Sequence, residues 1–599
     1  MNDPCYPRPQ FLRHDWQSLD GAWLYSFNEE TNPHCVAWQG EICVPFPPES
    51  PLSGVKDTGY HNVVWYQRRF HVPLDWQGRR ILLHFGAVDY LAQVWVNGHL
   101  VARHEGGHTP FSADITDVLV DGEQVVIVRA ADEPKDLEKP RGKQDWQLEP
   151  HAIWYPRTSG IWQPVWLEPV PVTHITRLHL TPDVPDFAFH VEVEFEKYAE
   201  APAPGLELDV QLCLEGAVLA EATWSAEDVK ISGTLQLCRP ETVEACQALL
   251  WSPENPVLFD LTLSLRRNES VCDRVDSYAG LRSVEARDGA FYLNGKPYFL
   301  QMILDQGYWA ESLMTPPSPE ALRQDVELTK AMGFNGARKH QKIEDPRYLY
   351  WADRLGLLVW GEMPSAYRFS KAAARRLTAE FIAMIERDFN HPSVVAWVPF
   401  NESWGIPDLP KSAPQRHLAQ SLYYLGKALD PTRLVIDNDG WEHFNTDLFT
   451  IHDYENKPEV FDRRYGTEEG FQEALMRQDV DHKLALDGFH PHGLPVILSE
   501  FGGVRMGGDG PGWGYVQVHT PEEFLLLFEP LMKSVYGRTL TGFCYTQLTD
   551  TFQEQNGLLF ADRRPKIDPA VIAQILKDGL LKREGQSQGA GSPSAELPV

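Results

Sequence analysis

Two β-sandwiches followed by a closed (β/α)8 barrel form the architecture this sequence predicts, on three observations. At 599 residues the chain is too long for one hydrophobic core, so about three or four domains are expected. Up to about residue 280, short bursts of alternating apolar and polar residues are broken by Gly, Pro and Asp, as in half-buried antiparallel strands. Beyond Gly280, wholly apolar runs alternate with helical stretches, as in a parallel sheet covered by helices on its faces.

The first domain, residues 1–170, holds runs such as Arg80–Phe85, Ala92–Val96 and Gln124–Val128. Asn97-Gly98 directly after Val96 is a strong hairpin signal, and the region reads as a jelly-roll-like β-sandwich. Residues 171–283 continue the alternation (Leu206, Leu208, Val210, Leu212; Leu261, Leu263, Leu265) at a size that suits an immunoglobulin-like sandwich. From 284 to 585, eight strands are expected at 297–304, 335–340, 356–362, 394–402, 433–439, 448–454, 495–501 and 541–548. Several intervening helices open with a capping residue and Pro at the first helical position: Ser318-Pro319, Asp345-Pro346, Thr520-Pro521 and Asp568-Pro569. Thr520 with Glu523 suggests a capping box. An open doubly wound sheet is the alternative, but no GxGxxG fingerprint follows the first strand. Residues 586–599, rich in Gly, Ser and Gln, read as a disordered tail.

A net charge of −30 argues against nucleic acid and anionic membrane as partners. The 19 Trp suit a carbohydrate partner, since flat rings stack on sugar C–H faces, although most will be core. The eight Cys form no CxxC pair, so neither a zinc site nor a disulfide framework is expected. No signal peptide or stretch of about 18 apolar residues is visible, which makes the cytoplasm the expected location. Oligomeric state is left open, a homo-oligomer included.

In such a barrel the C-terminal strand ends carry the chemistry. The first strand ends in Asp305 and Trp309, the second in Arg338, Lys339 and His340, and the third in Glu362. The fourth delivers Asn401, Glu402 and Trp404; the fifth Asp437, Asp439 and Trp441; the sixth His452, Asp453 and Tyr454; the seventh Glu500; the eighth Gln547 and Asp550. A purely structural barrel would have no use for so many polar groups, each needing a partner or water. Glu402 and Glu500 close the apolar runs Val394–Phe400 and Pro495–Ser499. Two carboxylates presented this way suit a general acid and a nucleophile facing one glycosidic bond.

The segment Arg387-Asp388-Phe389-Asn390-His391-Pro392-Ser393-Val394-Val395-Ala396-Trp397-Val398-Pro399-Phe400-Asn401-Glu402 resembles the acid/base signature of glycoside hydrolase family 2, which contains β-galactosidases, β-glucuronidases and β-mannosidases. Pro156–Glu168 and Val94–Gly98 are similar to the family's N-terminal sandwich. The resemblance implies Glu402 as acid/base, Asn401 as the partner of the sugar 2-hydroxyl, Glu500 as nucleophile and Tyr454 as a donor steadying it. It implies retention through a covalent glycosyl-enzyme, with Glu402 held at a raised pKa by desolvation beside Glu500. No metal or other cofactor is called for.

Two departures bear on substrate. Many members read Asn-x-x-Arg-x-Ser-His-Tyr-Pro after strand two; here Arg338 matches but Gln341 falls at the histidine, leaving His340 or Lys339 to take its sugar contact. The Asn-x-Lys motif of the β-glucuronidases, after strand eight, is absent from Gln553-Glu554-Gln555-Asn556-Gly557. A β-galactosidase-like exo-glycosidase is therefore the leading reading. The alternatives are a β-glucuronidase, an α-L-arabinopyranosidase or another β-glycosidase, and a noncatalytic carbohydrate-binding protein. Asp305 binds sugar or orients Arg338; Asp453, His452 and Gln547 are further substrate candidates, and Trp404 and Trp513 are stacking candidates. The segment Lys139–Trp154 reads as a solvated turn, with reach to the barrel mouth as the alternative.

Overall fold

The computed structural model describes residues 5–197, 205–225, 229–476, 482–508, 510–537 and 539–588. Of the expected tail, the first three residues end the helix Pro569–Gln588, and the remainder lies outside the described residues.

The first domain pairs a four-stranded with a six-stranded antiparallel sheet around Trp23, Tyr66, Leu83, Phe85, Val94 and Val128. Asn97 and Gly98, with φ of 49° and 83°, turn Leu91–Val96 into His99–Glu105, as a two-residue hairpin of type I′ requires. The second domain is an immunoglobulin-like sandwich of three and four strands. Its alternating leucines meet across neighbouring strands, Leu208 opposite Leu265, Val210 opposite Leu263 and Leu212 opposite Leu261. No disulfide joins any of the eight cysteines, all of which are described.

The third domain is the barrel, with parallel strands β1 (Leu300–Asp305), β2 (Gly336–Lys339), β3 (Leu358–Glu362), β4 (Val394–Val398), β5 (Leu434–Val435), β6 (Phe449–His452), β7 (Val496–Gly502) and β8 (Gly542–Thr546). Their ladder runs β5-β4-β3-β2-β1-β8-β7-β6. Bonds from Asp447 N–H to Val435 O (3.0 Å) and from His452 N–H to Gly440 O (3.3 Å) close the seam. Period-two alternation buries both faces: Ile303, Val359, Trp397 and Leu498 pack on the helices, while Met302, Trp360, Val398 and Ile497 fill the interior over Phe291 and Leu293.

Differences from the expected spans have local causes. Lys296–Pro297 pairs with the floor hairpin below the barrel, so β1 starts only at Leu300. β5 is two residues long because Asp437 turns the chain, its carboxylate accepting from the N–H groups of Phe444 (2.7 Å) and Asn445 (3.0 Å). Asp345 and Thr520 cap their helices through side-chain oxygens, whereas the Ser318 hydroxyl makes no capping bond. Glu523 reaches back to His519 N–H at 2.7 Å, one residue beyond the Thr520 N–H that a full capping box would engage. Among the described residues no helix is long and apolar enough to cross a membrane.

The second domain is anchored to the barrel base by buried bonds, Tyr278 to Asp353 (2.8 Å) and Arg282 Nη2 to Val394 O (2.8 Å). The Lys139–Trp154 segment of the first domain is not a solvated turn. Arg141 and Gly142 N–H both bond Ser365 O at 3.0 and 3.1 Å, and Trp154 meets Trp404 edge-on at 5.6 Å.

Candidate active site

Glu500 owes its direction to a β-bulge. Val496 and Leu498 face the helices and Ile497 the interior, so strict alternation would turn Glu500 outward. Register shifts against β6 and β8 insert a residue before Phe501, which returns to the helix face while Glu500 points inside. There Oε1 accepts from Arg338 Nη1 at 2.9 Å and Oε2 from the Tyr454 hydroxyl at 2.6 Å. Tyr515 stacks on Tyr454 with ring centroids 3.5 Å apart and fixes that hydroxyl.

Glu402 is placed by a turn rather than by a strand. β4 closes at Val398, Pro399 offers no N–H, and Glu402 and Ser403 adopt left-handed φ of 52° and 56°. Two successive non-glycine residues in that region are strained, and the surroundings hold them there: Glu402 N–H bonds Asp439 O at 2.9 Å and Ser403 N–H bonds Asn438 Oδ1 at 2.9 Å. The carboxylate meets His452 Nδ1 through Oε1 at 2.7 Å and Trp404 Nε1 through Oε2 at 3.3 Å.

Arg338, wholly buried, ties the floor of the site together. Nε donates to Glu362 (2.7 Å), Nη2 to Asn401 Oδ1 (2.7 Å), and Nη1 lies 2.6 Å from Asp439. Asn401 Oδ1 is thereby committed to Arg338. Burial raises the Glu362 carboxyl to about 7 against the pull of Arg338.

The charge state of the acid differs from expectation. Burial pushes Glu402 up, but the hydrogen bond and charge of His452, with Lys143 and Arg338 behind them, hold it below the usual carboxylate range. Burial opposes charge on His452 too, yet Glu500, Asp439 and Glu402 raise it to about 10. Carboxyl groups face both nitrogens of the ring, which favours charge on His452 and lowers the hold of Glu402 on its proton. Glu402, His452 and Glu500 also offer atoms within 4.8 Å of one another, the metal-ligating grouping found among the described residues. Both His452 nitrogens are already engaged there, by Glu402 and by Asp439 at 2.8 Å.

Arg338, Asn401, Glu402, Trp404, His340, His452, Tyr454 and Glu500 therefore converge on one mouth. His340 presents Nε2 at 3.6 Å from Glu500 Oε1, and burial keeps the ring neutral, with Arg338 adding to the effect. Four candidates lie apart. The Lys339 ammonium is satisfied by Asp305 (2.7 Å) and Glu344 (2.8 Å), so neither it nor Asp305 is left for a sugar. Asp453 is held by Arg464 and Tyr465, both at 2.6 Å. Gln547 bridges Gln306 (2.9 Å) and Asn556 (2.7 Å) as a relay in the wall. Trp513 sits at the rim, its indole N–H on Ala152 O at 3.0 Å. Lys143, Tyr155, Glu554, Tyr367 and Tyr515 were not read as site residues. The signal available for the first two was the charge and Trp content of an overlong connection in a sandwich otherwise made of short turns.

Two carboxylates opposed at the mouth of a (β/α)8 barrel, one held by Arg and Tyr and the other by His, define the glycoside-hydrolase class of site. The chain belongs to glycosyl hydrolases family 2: the family's sugar-binding domain matches residues 43–168, its central domain 173–282 and its TIM barrel domain 284–525. It is 27% identical to the β-galactosidase of Thermoanaerobacter pseudethanolicus over 453 residues, 74% of this chain but 57% of that protein, so it spans little more than half that relative's length. It is 26% identical to the Rattus norvegicus β-glucuronidase, covering 88% of this chain and 83% of that protein. The Ruminococcus gnavus β-glucuronidase in complex with D-glucuronic acid shares the fold, with a TM-score of 0.74 at 20% identity over 96% of this chain and 99% of that one.

Proposed function

We propose that this protein is a retaining, exo-acting β-glycosidase that hydrolyses terminal neutral sugars by double displacement, with β-galactosidase-like specificity as the first reading. The observation that carries it is the proximity of Glu402 and Glu500, whose oxygens lie within 4.8 Å. Retention calls for carboxyl groups roughly 5–5.5 Å apart, whereas inversion needs roughly 6.5–9.5 Å to admit a water.

In the first step Glu500 attacks the anomeric carbon, the bond to the leaving oxygen breaks, and Glu402 gives that oxygen a proton. In the second, Glu402 takes a proton from water as the water oxygen displaces Glu500. His452 passes its proton to Glu402 across 2.7 Å before the first step and receives one back after the second, so the cycle closes. Asn401 meets the 2-hydroxyl, and His340 takes the sugar contact that Lys339, bound elsewhere, cannot. The Lys139–Trp154 loop walls the mouth, which favours a terminal residue over an internal one.

Lys566, the lysine that follows β8, is bonded to Asp550 at 2.5 Å, so it does not serve a substrate carboxylate. This favours neutral sugars over uronides. Initial rates on aryl β-galactoside, β-glucoside, β-glucuronide, β-mannoside, β-xyloside and α-L-arabinopyranoside test the reading. One dominant neutral substrate, silenced by Glu500→Ala in a folded protein, is expected. Sugar binding that survives Glu500→Ala without any turnover in the wild type would make this a noncatalytic binder.

A further inference from the structure

The loop that the first sandwich sends into the barrel mouth carries one charge that the chemistry above leaves unused. Lys143 is 5% exposed, yet its ammonium forms no ion pair or hydrogen bond among the described residues. Its Nζ lies 5.6 Å from the centroid of the Tyr155 ring, whose hydroxyl donates to Glu554 at 2.7 Å, and the charges that act on it are those of Glu554 foremost, then Glu500, Glu402 and Glu362. An ammonium so largely buried with only an aromatic ring in contact is costly, and the fold holds its loop by specific means. Gly142 has φ of 59°, and a Cβ there would lie 2.2 Å from Gln341 O. The Tyr367 hydroxyl clamps Gly142 O at 2.7 Å.

Glu554, 4% exposed on the loop after β8, completes the wall. It accepts from Tyr155 OH at 2.7 Å and from Asn556 Nδ2 at 3.1 Å. From Asn556 a relay runs through Gln547 (2.7 Å) and Gln306 (2.9 Å) to His340 Nδ1 (3.0 Å). Each amide oxygen in it accepts from the next group, so His340 carries its proton on Nδ1. Its Nε2, buried without a partner, is left as an acceptor toward the site.

We propose that Lys143 and Glu554 form the specificity pair for the far edge of the terminal sugar, Lys143 donating to and Glu554 accepting from neighbouring hydroxyls, and that Glu554 turns away a sugar bearing a carboxylate there. The proposal rests on the glycosidase reading of Glu402 and Glu500. An ammonium only donates and a carboxylate only accepts, whereas a hydroxyl does both, so a diol satisfies the two at once. A uronate would satisfy Lys143 only by setting its own charge against Glu554. The net charge of −30 opposes anionic substrates at long range as well.

The test compares kcat/KM on matched aryl β-galactoside, β-glucoside and β-glucuronide for wild type, Lys143→Ala, Lys143→Arg and Glu554→Gln. Calorimetric titration of galactose, glucose and glucuronate serves as a readout independent of turnover. Lys143→Ala should raise KM for the neutral substrate by about tenfold or more with kcat less affected, and Lys143→Arg should recover part of the loss. Glu554→Gln should narrow the gap between neutral and uronide substrates by about tenfold. A wild type that prefers the uronide, or a Lys143→Ala variant that loses glucuronate and keeps the neutral sugar, overturns the proposal. Neutral-sugar binding that depends on Lys143, in a protein that hydrolyses nothing, would sink the hydrolase reading and leave this pair standing.

Discussion

His452 lies between the two carboxylates of greatest consequence to the acid step, Nδ1 at 2.7 Å from Glu402 Oε1 and Nε2 at 2.8 Å from Asp439 Oδ2. With Glu402 ionised both nitrogens donate and the ring is an imidazolium; with Glu402 protonated its hydroxyl donates to Nδ1 while Nε2–H donates to Asp439, so the pair shares one proton across the contact. On the proposed mechanism, the proton that Glu402 delivers is shared with His452 across one hydrogen bond, in a site bordered by Arg338 and Asn401.

The alkaline limb of kcat/KM should therefore report the pair and not an isolated carboxyl. His452→Asn is expected to move that limb to lower pH and to reduce kcat. A limb that stays in place would show that Glu402 holds its proton unaided.

The same contact couples to stability. A histidine at about 10 in the folded protein lies above an unfolded histidine near 6.5, so its contribution is complete below about pH 6.5 and is lost as pH rises toward 10. Chemical denaturation across that window should show wild type and His452→Asn converging from low to high pH.

Glu402→Gln should slow hydrolysis by about 10²-fold or more for poor leaving groups and far less for good ones, since only the former need protonation. Equal losses across a series of aryl leaving groups would remove the acid role from Glu402.

Arg338→Met would leave Glu362, Asp439 and Glu500 buried without their shared cation. A loss of about 3–5 kcal/mol in unfolding free energy is expected, together with activity. Arg338→Lys should recover stability only in part, because an ammonium cannot serve three carboxylates and the Asn401 amide from one fork.

Gly142→Ala tests the wall between domains. The new Cβ meets a backbone oxygen in a left-handed conformation, so the loop should leave the barrel mouth. KM should rise while the main unfolding transition barely moves; an unchanged KM would place the loop outside substrate binding.

Much of this was legible in the chain. Periodicity located all eight barrel strands within a few residues, because buried parallel strands need continuous apolar runs and the adjoining loops need polar ones. The polar groups at their ends followed from the same rule. Lys339, Asp305 and Asp453 sit at strand ends as Glu500 does, but there Lys339 pairs with Asp305 and Glu344, and Asp453 with Arg464. Sequence position tells where a side chain starts and not what it meets.

Composition and pattern by themselves determined the order of domains, the barrel and the two glutamates. The tertiary structure alone decided that a bulge turns Glu500 inward, that a left-handed turn and not a strand presents Glu402, and that His452 lies between Glu402 and Asp439. It also brought Lys143 across a domain boundary to face Glu554. Local propensity is written in neighbouring residues, whereas a site's charge balance is set by groups hundreds of positions apart that only packing brings together.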